Sequence, residues 1–146
     1  MGEGLMLVNE FIEEVRRIVD PFLSGLGFAV EEVDEIVDEG GLTSSVAYYR
    51  GPDCKIQVYH SSREGEINAM IAPFDAPNEL GVYGRSKKWH HLSDFADTAD
   101  LPLEELVRKL REERASCDTT PKRLEWLTRR IAQDFDAART AILEGQ

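Results

Sequence analysis

Cys54 and His60 are the first residues to test for chemistry, because a thiol and an imidazole within hydrogen-bond reach make a nucleophile and its base. Both belong to Cys54-Lys-Ile-Gln-Val-Tyr-His60, whose apolar and polar residues alternate as in a strand. They share one strand face but lie about 20 Å apart along it, so they form no dyad. His91, Asp94, Asp97 and Asp100 step by three, like a helical row of metal ligands. On a helix each such step drifts by about 60°, which carries the ends of the row to opposite sides. His90 and His91 are adjacent and lack the i, i+4 spacing of helical zinc ligands. No metal and no cofactor follows from these residues, and no Gly-rich phosphate loop or nucleophile elbow is present in the sequence.

Glu31, Glu32, Asp34, Glu35, Asp38 and Glu39 are the densest run of carboxylates. General acid–base work needs one carboxylate stripped of water beside one kept polar, and nothing in the run marks such a pair. Residues 34–40 also lack the alternating ligands of a calcium loop. The run therefore reads as a solvated face or a docking surface, with Glu31, Glu32, Glu35 and Glu39 as its contacts. Arg85-Ser-Lys-Lys-Trp-His-His91 is the one basic island, either an anion contact or an exposed loop around a partly buried Trp89.

The charge of the whole chain narrows the partners. Its 146 residues carry a net charge of −11, and residues 1–44 hold 11 acids against 2 bases. Nucleic acid is disfavoured, since its binding draws on phosphate neutralisation by Lys and Arg. Another protein with a basic patch is the natural complement. Two widely separated cysteines, Cys54 and Cys117, point to a reducing, cytoplasmic setting. Residues 1–7 lack the basic start and apolar stretch of a signal peptide, and no apolar run suits a membrane span. Met6 offers a second start.

The elements that position these groups follow from periodicity. Val8, Phe11, Ile12, Val15, Ile18, Val19, Phe22 and Leu23 predict an amphipathic helix capped by Asn9, divided near Asp20 by Pro21 and ended by Gly25 or Gly27. Residues 28–37 predict a strand whose apolar phase slips, which a bulge at Glu31-Glu32 explains. Residues 45–73 predict three more strands in a meander. A four-residue loop at residues 61–64 sets Val58 opposite Ile67, Ile56 opposite Ala69 and Cys54 opposite Ile71. The other sheet face, with Lys55, Gln57, Tyr59, Asn68 and Met70, reads as a wet side or a binding side. Residues 74–91 show no period and form a long connection. Helices are predicted at residues 92–99, at 102–114 with Leu103, Leu106, Val107 and Leu110 inward, and from Pro121 onward with Thr120 as cap. The result is one α+β domain: a four-stranded antiparallel meander with an N-terminal helix and C-terminal helices on one face.

On the last helix Leu124, Leu127, Ile131, Phe135, Ala138 and Ile142 fall within about 60° of one another. Trp126 falls on the opposite side with Arg130 and Gln133 beside it. Such a Trp is covered by another part of the chain or offered to a partner, including a second copy of the chain.

Pro21-Phe-Leu-Ser-Gly-Leu-Gly-Phe28, Val46-Ala-Tyr-Tyr-Arg50 and Ile56-Gln-Val-Tyr-His-Ser-Ser-Arg-Glu-Gly-Glu-Ile67 together resemble small acidic bacterial α+β domains, among them immunity proteins of polymorphic toxin systems. The resemblance covers residues 8–72 and lies in fold positions; it implies a domain that binds and blocks a toxin. A looser similarity is to acidic type III secretion chaperones, which are dimers; here helices end the chain where strands would be expected. The expectation is thus a non-enzymatic protein-binding domain. A small enzyme or ligand-binding protein with a pocket under residues 74–91 is the alternative class.

Overall fold

Pro21 divides the first helical stretch as its ring requires: α1 spans Glu3–Ile18 and α2 spans Asp20–Gly25. The computed structural model describes residues 3–39, 42–61, 66–80, 86–92, 102–115 and 119–145. Asn9 is no cap; it lies inside α1, which begins at Glu3 because Leu5 and Val8 carry the apolar spacing further back. Gly27 is the stop. It takes φ +93°, and the Gly27 and Phe28 amides donate back to the Ser24 and Leu23 carbonyls at 3.0 and 2.9 Å. That pairing is the glycine-terminated helix end in which the left-handed residue costs least.

Five antiparallel strands follow in the order β1-β2-β3-β4-β5. They are β1 (Ala29–Glu39), β2 (Leu42–Arg50), β3 (Cys54–Ser61), β4 (Glu66–Pro73) and the two-residue β5 (His90–His91). The fifth strand was not expected, since two residues show no period; it pairs His91 with Met70 and His90 with Ile71.

The expected bulge is present. Val30 pairs with Tyr49 and Glu32 with Tyr48, leaving Glu31 as the extra residue, and a second slip lies between Asp34 and Val37. The β3–β4 register differs from expectation by two residues: Val58 pairs with Ala69, Ile56 with Ile71 and His60 with Ile67. A shift of two preserves every side chain's face, so the apolar pattern allows both registers; each leaves four residues between its last pair, and the observed one differs by moving the turn one residue along the chain.

α1 and the last helix, α4 (Thr120–Leu143), lie on one sheet face, α1 over β2 and β1 and α4 over β4 and beside α1. Thr119, not Thr120, caps α4, its hydroxyl accepting from the Lys122 amide at 3.3 Å. Val15, Val19 and Leu23 from the helices meet Ala47, Tyr49, Ile56, Val58 and Ile71 from the sheet and Leu124, Ile131 and Ala138 from α4. The architecture is α+β.

Two contacts fix α4 against the β2–β3 turn. Arg139 donates through Nε to Asp53 Oδ1 at 3.2 Å and through a second nitrogen to Asp53 Oδ2. Phe135 meets Phe28 edge-on at 5.8 Å, and Phe28 in turn lies against Gly51, where a Cβ would come within 3.0 Å of three ring carbons.

The remaining helix, α3 (Leu103–Ala115), corrects an expectation. Leu103 and Val107 are 74% and 44% exposed rather than inward, and α3 shares no extensive packing surface with another described element. The side chains of Leu106 and Leu110, and the helix expected at residues 92–99, lie outside the described residues apart from buried Leu92.

Truncating fully buried Ile56 to Ala is expected to cost about 2–5 kcal/mol. Gly51→Ala, which forces a methyl into the Phe28 ring, is expected to cost about 1–3 kcal/mol. Urea unfolding of both variants checks the pair; a stability unchanged in either would be inconsistent with this packing.

Candidate functional site

The face of the sheet turned away from the helices is covered, and this is the largest departure from the sequence reading. Residues 74–80 leave β4 over that face, and residues 86–89 lie against it before β5. Lys55, Gln57, Tyr59 and Met70, expected on a wet side, are each at most 2% exposed. With Val46, Tyr48, Ala72, Ala76 and Trp89 they make a second core, in which the Tyr48 and Trp89 rings lie 6.1 Å apart. Tyr59 is therefore a core residue and offers nothing to a partner. The signal was Trp89: one large aromatic in an aperiodic connection needs a surface to cover.

Polar side chains of β3 hold the covering segment by its backbone. Lys55 Nζ donates to the Ala76 carbonyl at 2.9 Å and to the Asn78 side-chain oxygen, and it lies 3.0 Å from Glu31 Oε1. Gln57 donates to the Glu79 carbonyl at 2.7 Å, and the Trp89 indole N–H donates to the Pro77 carbonyl at 2.8 Å. A buried ammonium is tolerable only when its donors are satisfied and a counter-charge is near. Here the bulge supplies the counter-charge. By adding one residue to β1 it turns Glu31 and Glu32 to the same side. Asn78 Nδ2 donates to both, at 3.1 and 2.8 Å, and Arg50 donates to Glu31.

Burial alone would raise the Glu31 carboxyl. The hydrogen bonds from Arg50, Lys55 and Asn78, with the charge of Lys55, outweigh it and hold the group at about 2. Glu31, though at the surface, is thus engaged by partners within the chain, where the sequence suggested a contact for another protein. Glu32 is exposed at the edge strand, and Glu35 and Glu39 stand on β1 with side chains outside the described residues. Arg50 also places its guanidinium 4.6 Å from the centre of the half-exposed Phe74 ring. Beside them an open cleft of about 480 Å³ is lined by Gly27, Val30, Glu31, Pro52 and Phe74. It lies at the start of the covering segment rather than beneath it, where Tyr48, Tyr59, Met70 and Trp89 fill the space.

Trp126 is half-buried and packs against the main core. The covered arc of α4 is wider than its apolar residues indicate, because Asp134 is also buried, at 4% exposure, and extends that arc toward Arg130 and Trp126. Burial pushes the Asp134 carboxyl up, against the pull of Arg130 3.7 Å away. Arg130 donates to Gln133 at 3.2 Å. These three residues serve one another along α4.

Cys54 is buried, its thiol pushed up to about 12 by burial and by the neighbouring Asp53, which removes it from nucleophilic chemistry near neutral pH. Cys117 and Asp94, Asp97 and Asp100 lie outside the described residues. Among the described residues no group of His, Cys, Asp or Glu has the geometry to hold a metal ion, and no helix is long and apolar enough to cross a membrane.

Because the Glu31 carboxyl sits below its ordinary 4.5, the folded state binds fewer protons there than the unfolded chain. Its contribution is complete above pH 4.5 and is lost as pH falls toward 2. The stability difference between wild type and Glu31→Gln should therefore narrow over that window in denaturant titrations; a constant difference would be inconsistent with the network. Trp126→Ala should destabilise the chain by about 3–5 kcal/mol at most, the cost of emptying a fully packed Trp site.

Comparison of the chain with family models, with curated proteins and with solved structures returned no match.

Proposed function

We propose that this chain is a non-enzymatic, cytoplasmic protein-binding domain that receives a basic partner along the acidic edge strand β1, in the manner of an immunity factor against a toxin. The observation that carries the reading is the place of the charge. β1 is an outer strand of the sheet, and six of its eleven residues are acids. The internal network engages Glu31 through Arg50 and Lys55 and reaches Glu32 only through one hydrogen bond from Asn78. Glu32, Glu35 and Glu39 are the contacts this reading retains. A cationic surface approaching this edge gains in encounter rate, because like-signed charges along one rim focus the field. Catalysis finds less support, since the depressed Glu31 carboxyl is saturated with partners and the Cys54 thiol is protonated.

The test is association, followed by stopped-flow or biolayer interferometry, with the products of the genes flanking this one. A partner is expected whose on-rate falls tenfold or more as salt screens the surface, the Debye length being about 8 Å at physiological strength. Changing Glu32, Glu35 and Glu39 together to Gln should slow association and leave the melting temperature nearly unchanged. A true partner that binds independently of salt, or as fast to the triple variant, would refute the assignment of β1.

A further inference from the structure

α3 has an apolar stripe with no cover among the described elements and a charge pattern that matches its own reverse. Leu103 and Val107, one helical turn apart, are 74% and 44% exposed. In sequence the same stripe continues through positions 106 and 110. Glu104 and Arg111 flank it on one side: at 100° per residue they lie about 20° apart around the helix and roughly 10 Å apart along it. Both are exposed, and no side-chain ion pair within the described chain engages either.

From this we infer that α3 is the contact by which two copies of the chain associate, packed antiparallel about a twofold axis near Val107. The geometry follows from symmetry. In a twofold antiparallel pair each flank of a helix faces the same flank of its partner, running the other way. Glu104 then meets Arg111 of the second copy and Arg111 meets Glu104, so the ion pair forms twice. The apolar stripe closes between them, Leu103 of each copy lying toward the far end of the other's stripe. A heterologous protein partner would need to reproduce this acid-to-base order in reverse; a second copy has it by construction. α3 is 13 residues long, so the surface is at the small end of specific interfaces and the dimer is a reversible one that assembles with rising concentration. The site lies on a different element from β1 and is independent of the function proposed for that strand.

Sedimentation equilibrium of the full chain from low micromolar to millimolar concentration is the first measurement, with a monomer–dimer equilibrium expected. Leu103→Asp and Glu104→Arg should each weaken dimerisation at least tenfold. Because both positions are exposed, circular dichroism should show unchanged folding. The double variant Glu104→Arg with Arg111→Glu reverses both charges and should restore association. In a Cys117→Ser background, Val107→Cys near the axis should oxidise to a covalent dimer, whereas Leu103→Cys should not, its two copies lying beyond the Cα separation a disulfide spans. A chain monomeric throughout, a dimer indifferent to Leu103→Asp, no rescue by the charge reversal, or cross-linking through position 103 in preference to 107 would each overturn the proposal.

Discussion

The ammonium of Lys55 ties β3 to two distant stretches of the chain, the bulge of β1 and residues 76–78. It draws in the carboxylate of the β1 bulge, the carbonyl of Ala76 and the side chain of Asn78, from inside a face that excludes water. A charge in that position is costly unless each donor is met, so the bulge, the path of the covering segment and the choice of Asn78 are one requirement expressed three times. Replacing the group by an apolar residue of similar volume would cost little in burial. What it would lose is the directional tie that seats residues 76–79 on β3 rather than elsewhere on the sheet.

The result is a sheet with a core on each side, built by different means. Toward α1 and α4 the contacts are aliphatic and aromatic. Toward residues 74–80 and 86–89 the same sheet presents Lys55 and Gln57 among Tyr48, Tyr59 and Met70, and positions are set by hydrogen bonds to the backbone of the cover. An aperiodic segment can lie over a sheet only if its own carbonyls find donors, because it has no strand partners along most of its length. Side chains of β3 supply those donors.

The helical side of this arrangement was legible in the sequence, and its reverse side was not. Period 3.6 in residues 8–26 and 124–142 marks helices with one buried stripe, and the slipped alternation near Glu31 marks a bulge. Those signals are local. The β3–β4 register escaped because shifts of two residues are degenerate in an alternating pattern, leaving the position of a turn of unchanged length to choose. Lys55 and Gln57 read as part of a wet or binding face because polarity ordinarily signals access to water or a partner, and only a distant segment reverses that meaning. The same limit applies to Asp134, whose burial widens the covered arc of α4 and draws Trp126 onto the core. Glu31, Glu32, Glu35 and Glu39 were recognisable as one acidic strand. The division of labour among them, with Glu31 turned to an internal task, depends on a lysine 24 positions away.

The position of α4 in the chain bears on how the protein is made. Leu124, Leu127, Ile131, Ala138 and Ile142 close the main core, and Arg139 and Phe135 reach back to Asp53 and Phe28. During synthesis every strand is made before these residues, so α1 can cover β1 and β2 early while the part of the inner face over β4 waits for α4. A core closed by an element so far along the chain forms only when long loops close, and its folding rate reflects them. The acidic β1 edge is already present in that interval, where its repulsion discourages sheets on neighbouring ribosomes from pairing edge to edge.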